Sequence, residues 1–325
     1  MRARPRGDSS PVVLVARQLL PAGRERLTER CEIREGGLDV TPQRLLDLAP
    51  GADAIVADPT VVVDEPLLDA AGARLRVVAN FAVGYDNVDL DACRRRGVVV
   101  TNTPDVLTDA TAELALALTL AAARRTTEAE ADLRAGRWTG LRPDGYLGLE
   151  LSDATFGVVG LGRIGRRYAE LVRPLAGEIL YTSRSPKPDA ERDLGAIRVE
   201  LVELLGSADV VSLHVPAAAD TAQLIGRDEL AAMQPHAVLV NTARGSLVDE
   251  AALAAGLRDG SIAGAGLDVY PDEPGVPVSL LEAPNCVLLP HIGSATTRAR
   301  DAMAVLVADN VLAALAGDEP SSRVA

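Results

Sequence analysis

Short apolar runs recur along this chain, and in most of them the apolar residues are consecutive. Before residue 104 they are VVLVA (12–16), AIVAD (54–58), LRVVANF (75–81) and GVVVTN (97–102). After residue 155 they are FGVVGLG (156–162), EILYTSR (178–184), ADVVSLHV (208–215), AVLVNTA (237–243), AGAGLDV (263–269) and CVLLPHI (286–292). A strand with one wet face alternates apolar and polar residues, whereas a strand covered on both faces need not. Helical stretches lie between the runs, among them 200–206, 227–233 and 249–258. This alternation predicts an α/β fold with parallel sheets joined by right-handed crossovers.

The runs form two groups, separated by a long helical pattern at 108–125 and a turn-rich segment at 136–151 that reads as a surface loop. A chain of 325 residues is long for one core and comfortable for two, so two α/β domains are expected. The last helical stretch, 296–315, follows the second sheet. If it packs back on the first domain, that domain is discontinuous.

The net charge of −13 argues against nucleic acid or an anionic membrane surface as a partner. A local group of arginines can still bind a small anion. Cys31, Cys93 and Cys286 are sparse and lack metal-ligand spacing, which suggests a reduced compartment and no metal site. The basic start MRARPRGDSS precedes PVVLVARQLL, which Arg17 interrupts, so a first strand is expected there instead of a leader. No run approaches the roughly 18–20 apolar residues of a membrane span. The expectation is a cytoplasmic protein.

GVVGLGRIG (157–165) sets Gly160, Gly162 and Gly165 as G-x-G-x-x-G, with a strand candidate before it and a helical pattern after it. The run alone is a weak signal; this context makes it a dinucleotide-binding turn. Gly160 allows the tight turn, Gly162 lets the backbone approach a pyrophosphate, and Gly165 lets helix and strand pack closely. An acid is expected at the end of the next strand, to hold a ribose hydroxyl. The chain reads ILYTSRSP there, with Ser183, Arg184 and, slightly beyond, its only lysine, Lys187. A carboxylate would repel a 2′-phosphate, whereas arginine attracts it and serine can hydrogen-bond it. NADP(H) is therefore expected in preference to NAD(H), with Arg184 as an ordinary solvated arginine the plain alternative.

Three histidines narrow the search for an acid or base. His236, before a strand, reads as a surface or cap residue. His214 stands at the carboxyl end of a strand, where open α/β sheets bind ligands. His291 lies in a tight PHIGS turn. Arg244 in NTARGSLVDE and Asp268, Asp272 and Glu273 in LDVYPDEP lie near other strand ends. Singly, each is more simply a cap or a solvated turn residue. Together with a dinucleotide turn they match the needs of 2-keto acid reduction: an Arg to clamp a carboxylate, a His to give a proton, an acid to hold the His.

The motifs GVVGLGRIG, SLHVP, LVNTARGSLVDE, GAGLDVYPDEP and PHIGSATTRAR, in this order, make nearly the whole chain resemble the D-isomer-specific 2-hydroxyacid dehydrogenases. The resemblance implies two Rossmann-like or flavodoxin-like domains with the active site in a cleft between them. The substrate-binding (catalytic) domain would be 1–103 with 290–325, and the NAD(P)-binding Rossmann domain 104–289. Arg244, Glu273 and His291 match the catalytic set, and Asp268 the acid that bonds the nicotinamide carboxamide. Val83 and Gly84, in NFAVGYDNVD, match the loop whose amides hold the substrate carboxylate. Thr111, Arg163, Ile164, His214, Pro216, Thr242 and Ala243 match cofactor contacts. A homodimer through the cofactor domain is also implied. NFAVGYDNVD and YTSRSPKP are most similar to glyoxylate/hydroxypyruvate reductases, which implies a small 2-keto acid or 2-hydroxy acid as substrate. Reductases of 2-ketogluconate or hydroxyphenylpyruvate, and phosphite dehydrogenases, share the same set. Corepressors that sense dinucleotides share the fold, but the full Arg/Glu/His set here favours catalysis.

Overall fold

The computed structural model describes residues 10–325, so the basic start, 1–9, lies outside the described residues. The chain divides into two compact units: one runs to Leu107 and resumes at Ala295–Ala325, the other is Thr108–Ser294. The sequence alone places these boundaries at 103/104 and 289/290. The second one moves because the backbone amides of Ile292 and Gly293 are bonded to Asp268. His291 thus lies in the second unit, not, as expected, in the first.

The first unit holds five parallel strands, β1 (Val12–Val15), β2 (Glu32–Glu35), β3 (Ala54–Ala57), β4 (Val77–Asn80) and β5 (Val99–Thr101), in the order β2-β1-β3-β4-β5. Neighbouring residues on a strand face opposite ways, and both ways lead into core. Leu14, Ile55, Val78 and Val100 pack with Leu67, Leu68 and Ala92. Val13, Val15, Val56 and Val77 pack with Ala304, Val307 and Val311 of the last helix, Thr297–Ala316. That helix therefore does return to the first sheet. The chain end is tied to β5, where Val324 donates to the Val100 carbonyl at 2.7 Å.

The second unit holds β6 (Ala154–Val159), β7 (Ala176–Thr182), β8 (Ile197–Arg198), β9 (Val210–Leu213), β10 (Val238–Asn241), β11 (Gly264–Leu267) and β12 (Cys286–Leu288). All pairings are parallel, in the order β12-β11-β10-β9-β6-β7-β8. The chain winds outward from β6 to β8, then restarts at β9 on the other side. The carboxyl ends of β6 and β9 thus flank the switch point at which such sheets bind ligands. The long helix, Thr108–Ala123, covers one face through Ala112, Ala115, Leu118 and Ala122. It stops short of the expected residue 125, and a separate helix, Thr126–Arg134, follows. No strand or helix occupies 136–151, as the turn-rich sequence suggested.

Two strands have no counterpart among the predicted runs, β2 and β8. Both are edge strands, partly or fully exposed, and β2 is mostly charged (EIRE). Charge on a free edge deters pairing with other chains, and it also erases the apolar signature.

Candidate active site

The glycine run lies between β6 and the helix Arg163–Val172. Gly160 turns the chain at φ +95, a conformation that favours glycine. A Cβ on Gly165 would stand 2.1 Å from the Gly160 carbonyl oxygen, so the helix can approach the turn only with glycine there. Nothing lies within 4 Å of a Cβ built on Gly162, the helix N-cap, which makes no side-chain cap bond. Arg163 and Ile164 open the helix, whose first N–H groups suit a phosphate. The hydroxyl of Thr242, beyond β10, is buried with no partner in the protein, and a bound polar group could engage it. An open backbone turn at a helix N-terminus and at the switch point, with an orphan hydroxyl at the carboxyl end of another strand of the same sheet, fits a dinucleotide.

His214 follows β9, and its backbone N–H donates to the Val159 carbonyl at 2.7 Å. Its Nε2 lies 2.9 Å from the Ser212 hydroxyl, and its ring lies 5.1 Å from that of Tyr168. The Tyr168 hydroxyl meets that of Thr119 at 2.8 Å. Burial pushes the His214 imidazole down to about 3, so it is neutral at neutral pH. Pro216, two residues on, is exposed. Tyr168, Ser212 and Thr119 were not singled out from sequence. Thr119 and Ser212 leave only a hydroxyl within an apolar run there, and Tyr168 stands in a helical stretch behind two arginines.

Ser183 and Arg184 follow the end of β7. The Ser183 hydroxyl donates to the Ser185 carbonyl at 2.6 Å, and Arg198 of β8 donates to the Ser183 carbonyl at 2.9 Å. The Glu191 carboxylate, in the next helix, accepts from the Tyr181 hydroxyl. Arg198 was not foreseen, because its strand was not.

The candidate catalytic groups stand beyond β10, β11 and β12. The Asn241 side chain donates to the Arg244 carbonyl at 2.8 Å and accepts from the Ala243 N–H at 3.0 Å, setting the turn that carries Arg244. A Cβ on Gly245 would lie 2.0 Å from the Tyr270 carbonyl carbon, so this turn sits directly on the segment before Glu273. Glu273 accepts from the Tyr270 N–H at 3.0 Å, and its Oε2 lies 2.7 Å from Nδ1 of His291. Burial alone would raise the Glu273 carboxyl. The His291 and Tyr270 bonds and the charges of His291 and Arg244 outweigh it and hold the group below its ordinary range.

His291 adopts φ +53, a left-handed conformation uncommon outside glycine. The next two amides hold it there, Ile292 to Oδ1 and Gly293 to Oδ2 of Asp268, each at 2.7 Å. Asp268 is 1% exposed, and burial pushes its carboxyl up to about 6 against those two bonds. Thr111, buried in the long helix, lies under the same turn, its hydroxyl 3.6 Å from a Cβ built on Gly293. His236 is remote from this group; it is exposed and bonded to Asp209.

Val83 and Gly84 lie in the first unit, in the loop after β4. The carbonyl of Ala82 accepts from Thr103 N–H, that of Val83 from the Asn102 side chain and that of Gly84 from the Asn80 side chain, each at 2.8 Å. Asn80 and Asn102 were not singled out from sequence.

A family model described as the NAD binding domain of D-isomer specific 2-hydroxyacid dehydrogenases matches residues 116–293. The glyoxylate reductase of Thermococcus litoralis is 45% identical over 320 residues, covering 97% of this chain and 96% of that protein. The glyoxylate reductase of Aeropyrum pernix is 44% identical over 321 residues, with the same coverage of 97% and 96%. Among solved structures, the TT0316 protein of Thermus thermophilus superposes with a TM-score of 0.90 at 44% identity, covering 97% of this chain and 100% of that one. An NADPH-dependent glyoxylate/hydroxypyruvate reductase of Sinorhizobium meliloti, solved with NADP and malonate, gives 0.84 at 40% identity, covering 98% and 97%.

Proposed function

Because the chain belongs to the D-isomer specific 2-hydroxyacid dehydrogenases, we propose that it uses NADPH to reduce a small 2-keto acid, glyoxylate or hydroxypyruvate, to the D-2-hydroxy acid. It is an NAD(P)-dependent oxidoreductase, similar to glyoxylate reductases. The observation that carries the finer reading is the His291–Glu273 pair at 2.7 Å, on a turn clamped by Asp268.

The cofactor, when bound, supplies a hydride for the keto carbon. Arg244 binds the substrate carboxylate and polarises the carbonyl. The amides of Val83 and Gly84 receive the same carboxylate. His291 gives its Nε2 proton to the carbonyl oxygen, while Glu273 on Nδ1 fixes the ring and its tautomer. Asp268 bonds the nicotinamide carboxamide, Thr111, Arg163, Ile164, His214, Pro216, Thr242 and Ala243 contact the cofactor, and the glycine run holds the phosphates. Ser183 and Arg184, where a ribose-binding acid is missing, support NADPH over NADH, as does the name of the Sinorhizobium relative.

Leu133, Trp138, Leu141 and Leu147 are exposed apolar residues on the Thr126–Arg134 helix and the loop after it, and they support a homodimer through the second unit. Among the described residues no helix is long and apolar enough to cross a membrane. Our reading keeps the enzyme in the cytoplasm.

Initial rates with glyoxylate and hydroxypyruvate, each with NADPH and with NADH, test the proposal. Turnover with NADPH strongly preferred is the expected result. Turnover with NADH preferred keeps the reductase and removes the role of Arg184. No turnover, in protein that still binds NADPH, turns the assignment to larger 2-keto acids, phosphite or dinucleotide sensing.

A further inference from the structure

The loop after β4 is held from behind. In a trans peptide the C=O and the following N–H point in opposite directions, so whatever grips a carbonyl also aims the next amide. Thr103, gripping the Ala82 carbonyl, aims the N–H of Val83; Asn102, gripping Val83, aims that of Gly84; Asn80, gripping Gly84, aims that of Tyr85. Both asparagines are themselves fixed. Asn80 is 0% exposed and exchanges side-chain bonds with Asn87 at 3.1 Å each way. Asn87 also donates to the carbonyls of Asp58 and Val61, at 3.0 and 2.9 Å. The Asn102 N–H donates to the Ser322 carbonyl at 3.2 Å, and its carbonyl accepts from the Ser322 hydroxyl at 2.6 Å. Asn310, 1% exposed, donates to that same hydroxyl at 2.6 Å.

We propose that Asn102, braced by Ser322, is a positioning residue for the substrate carboxylate: it aims the Gly84 amide through the Val83 carbonyl and touches no substrate itself. This rests on the reading that the Val83 and Gly84 amides receive that carboxylate. Only a donor with the reach of the asparagine side chain can do the work at 102, since a serine hydroxyl ends one bond short of the Nδ2 that grips Val83. An aspartate of the same shape would set an acceptor against the Val83 carbonyl, and the peptide would rotate away. A carboxylate bound by N–H groups needs them already aimed, since a displacement of about 1 Å can cost on the order of 100-fold.

The test compares Asn102→Asp and Asn102→Ser with Gly84→Pro, which removes the aimed N–H outright. For both Asn102 variants the expected result is a KM for glyoxylate raised about 10- to 100-fold. The KM for NADPH should stay within about twofold, and kcat should fall less than KM rises. The inhibition constant of oxamate, a carboxylate-bearing mimic of the 2-keto acid, should rise in parallel. Asn102→Ser keeps a small polar side chain and serves if the aspartate variant does not fold. Gly84→Pro raising the glyoxylate KM while both Asn102 variants keep the wild-type value would overturn the inference and leave the amide reading intact. Equal rises in the KM of substrate and cofactor would also overturn it, since a loosened fold acts on both. Unchanged glyoxylate KM in all three variants would overturn the amide reading itself.

Discussion

The carboxylate of Asp268 accepts the backbone N–H of Gly293 at 2.7 Å, with its other oxygen on the adjacent amide of Ile292. These bonds hold the turn in which His291 stands at φ +53. Asp268→Asn keeps the shape but turns a donor toward one of the two amides, leaving it unsatisfied in a buried place. The expected outcome is a kcat lowered at least about tenfold, with the protein still folded. In the wild type, the Asp268 carboxyl takes up a proton as pH falls through about 6 and loses one acceptor oxygen. Its turnover should drop across that range, while the variant, lacking the titrating group, shows no such step. A stopped-flow pH series on both proteins checks this.

His291→Gln removes the proposed proton donor and keeps a polar side chain of similar reach. Turnover with glyoxylate should fall about 10²–10⁴-fold, the usual contribution of a general acid, with NADPH affinity largely kept. Wild-type turnover in this variant would end the assignment. Glu273→Gln should fall less, since it alters the holder of the ring and not the donor. Glu273 also has a stability signature. Its folded carboxyl lies below the ordinary 4.5, so its contribution is present above that pH and is lost as pH falls through the folded value. Acid titration of Tm should therefore be shallower in Glu273→Gln below about 4.5.

Much of the candidate site was legible because its residues sit in short, chemically distinctive local motifs. A histidine in PHIGS and an arginine in NTARG stand out wherever they occur. What escaped depends on partners distant in sequence. Asn102 grips Val83 across 19 residues, and Tyr168 meets Thr119 across 49. An asparagine at a strand end or a tyrosine within a helix carries no local sign of what it will meet. The second unit runs to Ser294, and the bond of Gly293 to Asp268, 25 residues away, is another long-range pairing with no local sign. β2 and β8 escaped because an edge strand need not be apolar, and with β8 went Arg198 and its bond to Ser183.

Arg184→Ala tests the account of the missing acid. A guanidinium against a phosphate dianion forms charge-assisted bonds that a ribose hydroxyl does not require. The expected outcome is a KM for NADPH raised about 10- to 100-fold and a KM for NADH changed less than about threefold. Equal changes for both cofactors would show that Arg184 does not read the phosphate. The contrast should weaken as salt is raised, because the pairing is solvent-facing.

His214 and Asp268 should push the pH dependence of stability in opposite directions. The His214 imidazole lies at about 3 in the fold against an ordinary 6.5. Between those values the unfolded chain holds a proton that the folded one refuses, so stability falls as pH drops through that window. Asp268 lies at about 6 against an ordinary 3.8. Between those values the folded chain holds a proton that the unfolded one has released, so stability falls as pH rises through that window. From about pH 4 to 6 the two slopes oppose each other within one molecule. Removing one should expose the other. Relative to wild type, the Tm of His214→Gln should decline with rising pH in this range, and that of Asp268→Asn should climb. Differential scanning calorimetry at half-unit steps measures both. Parallel curves for wild type and His214→Gln would mean that the imidazole takes a proton in the fold as readily as in the unfolded chain, and that the packing of Tyr168 and Ser212 around it is looser than the 5.1 Å and 2.9 Å separations require.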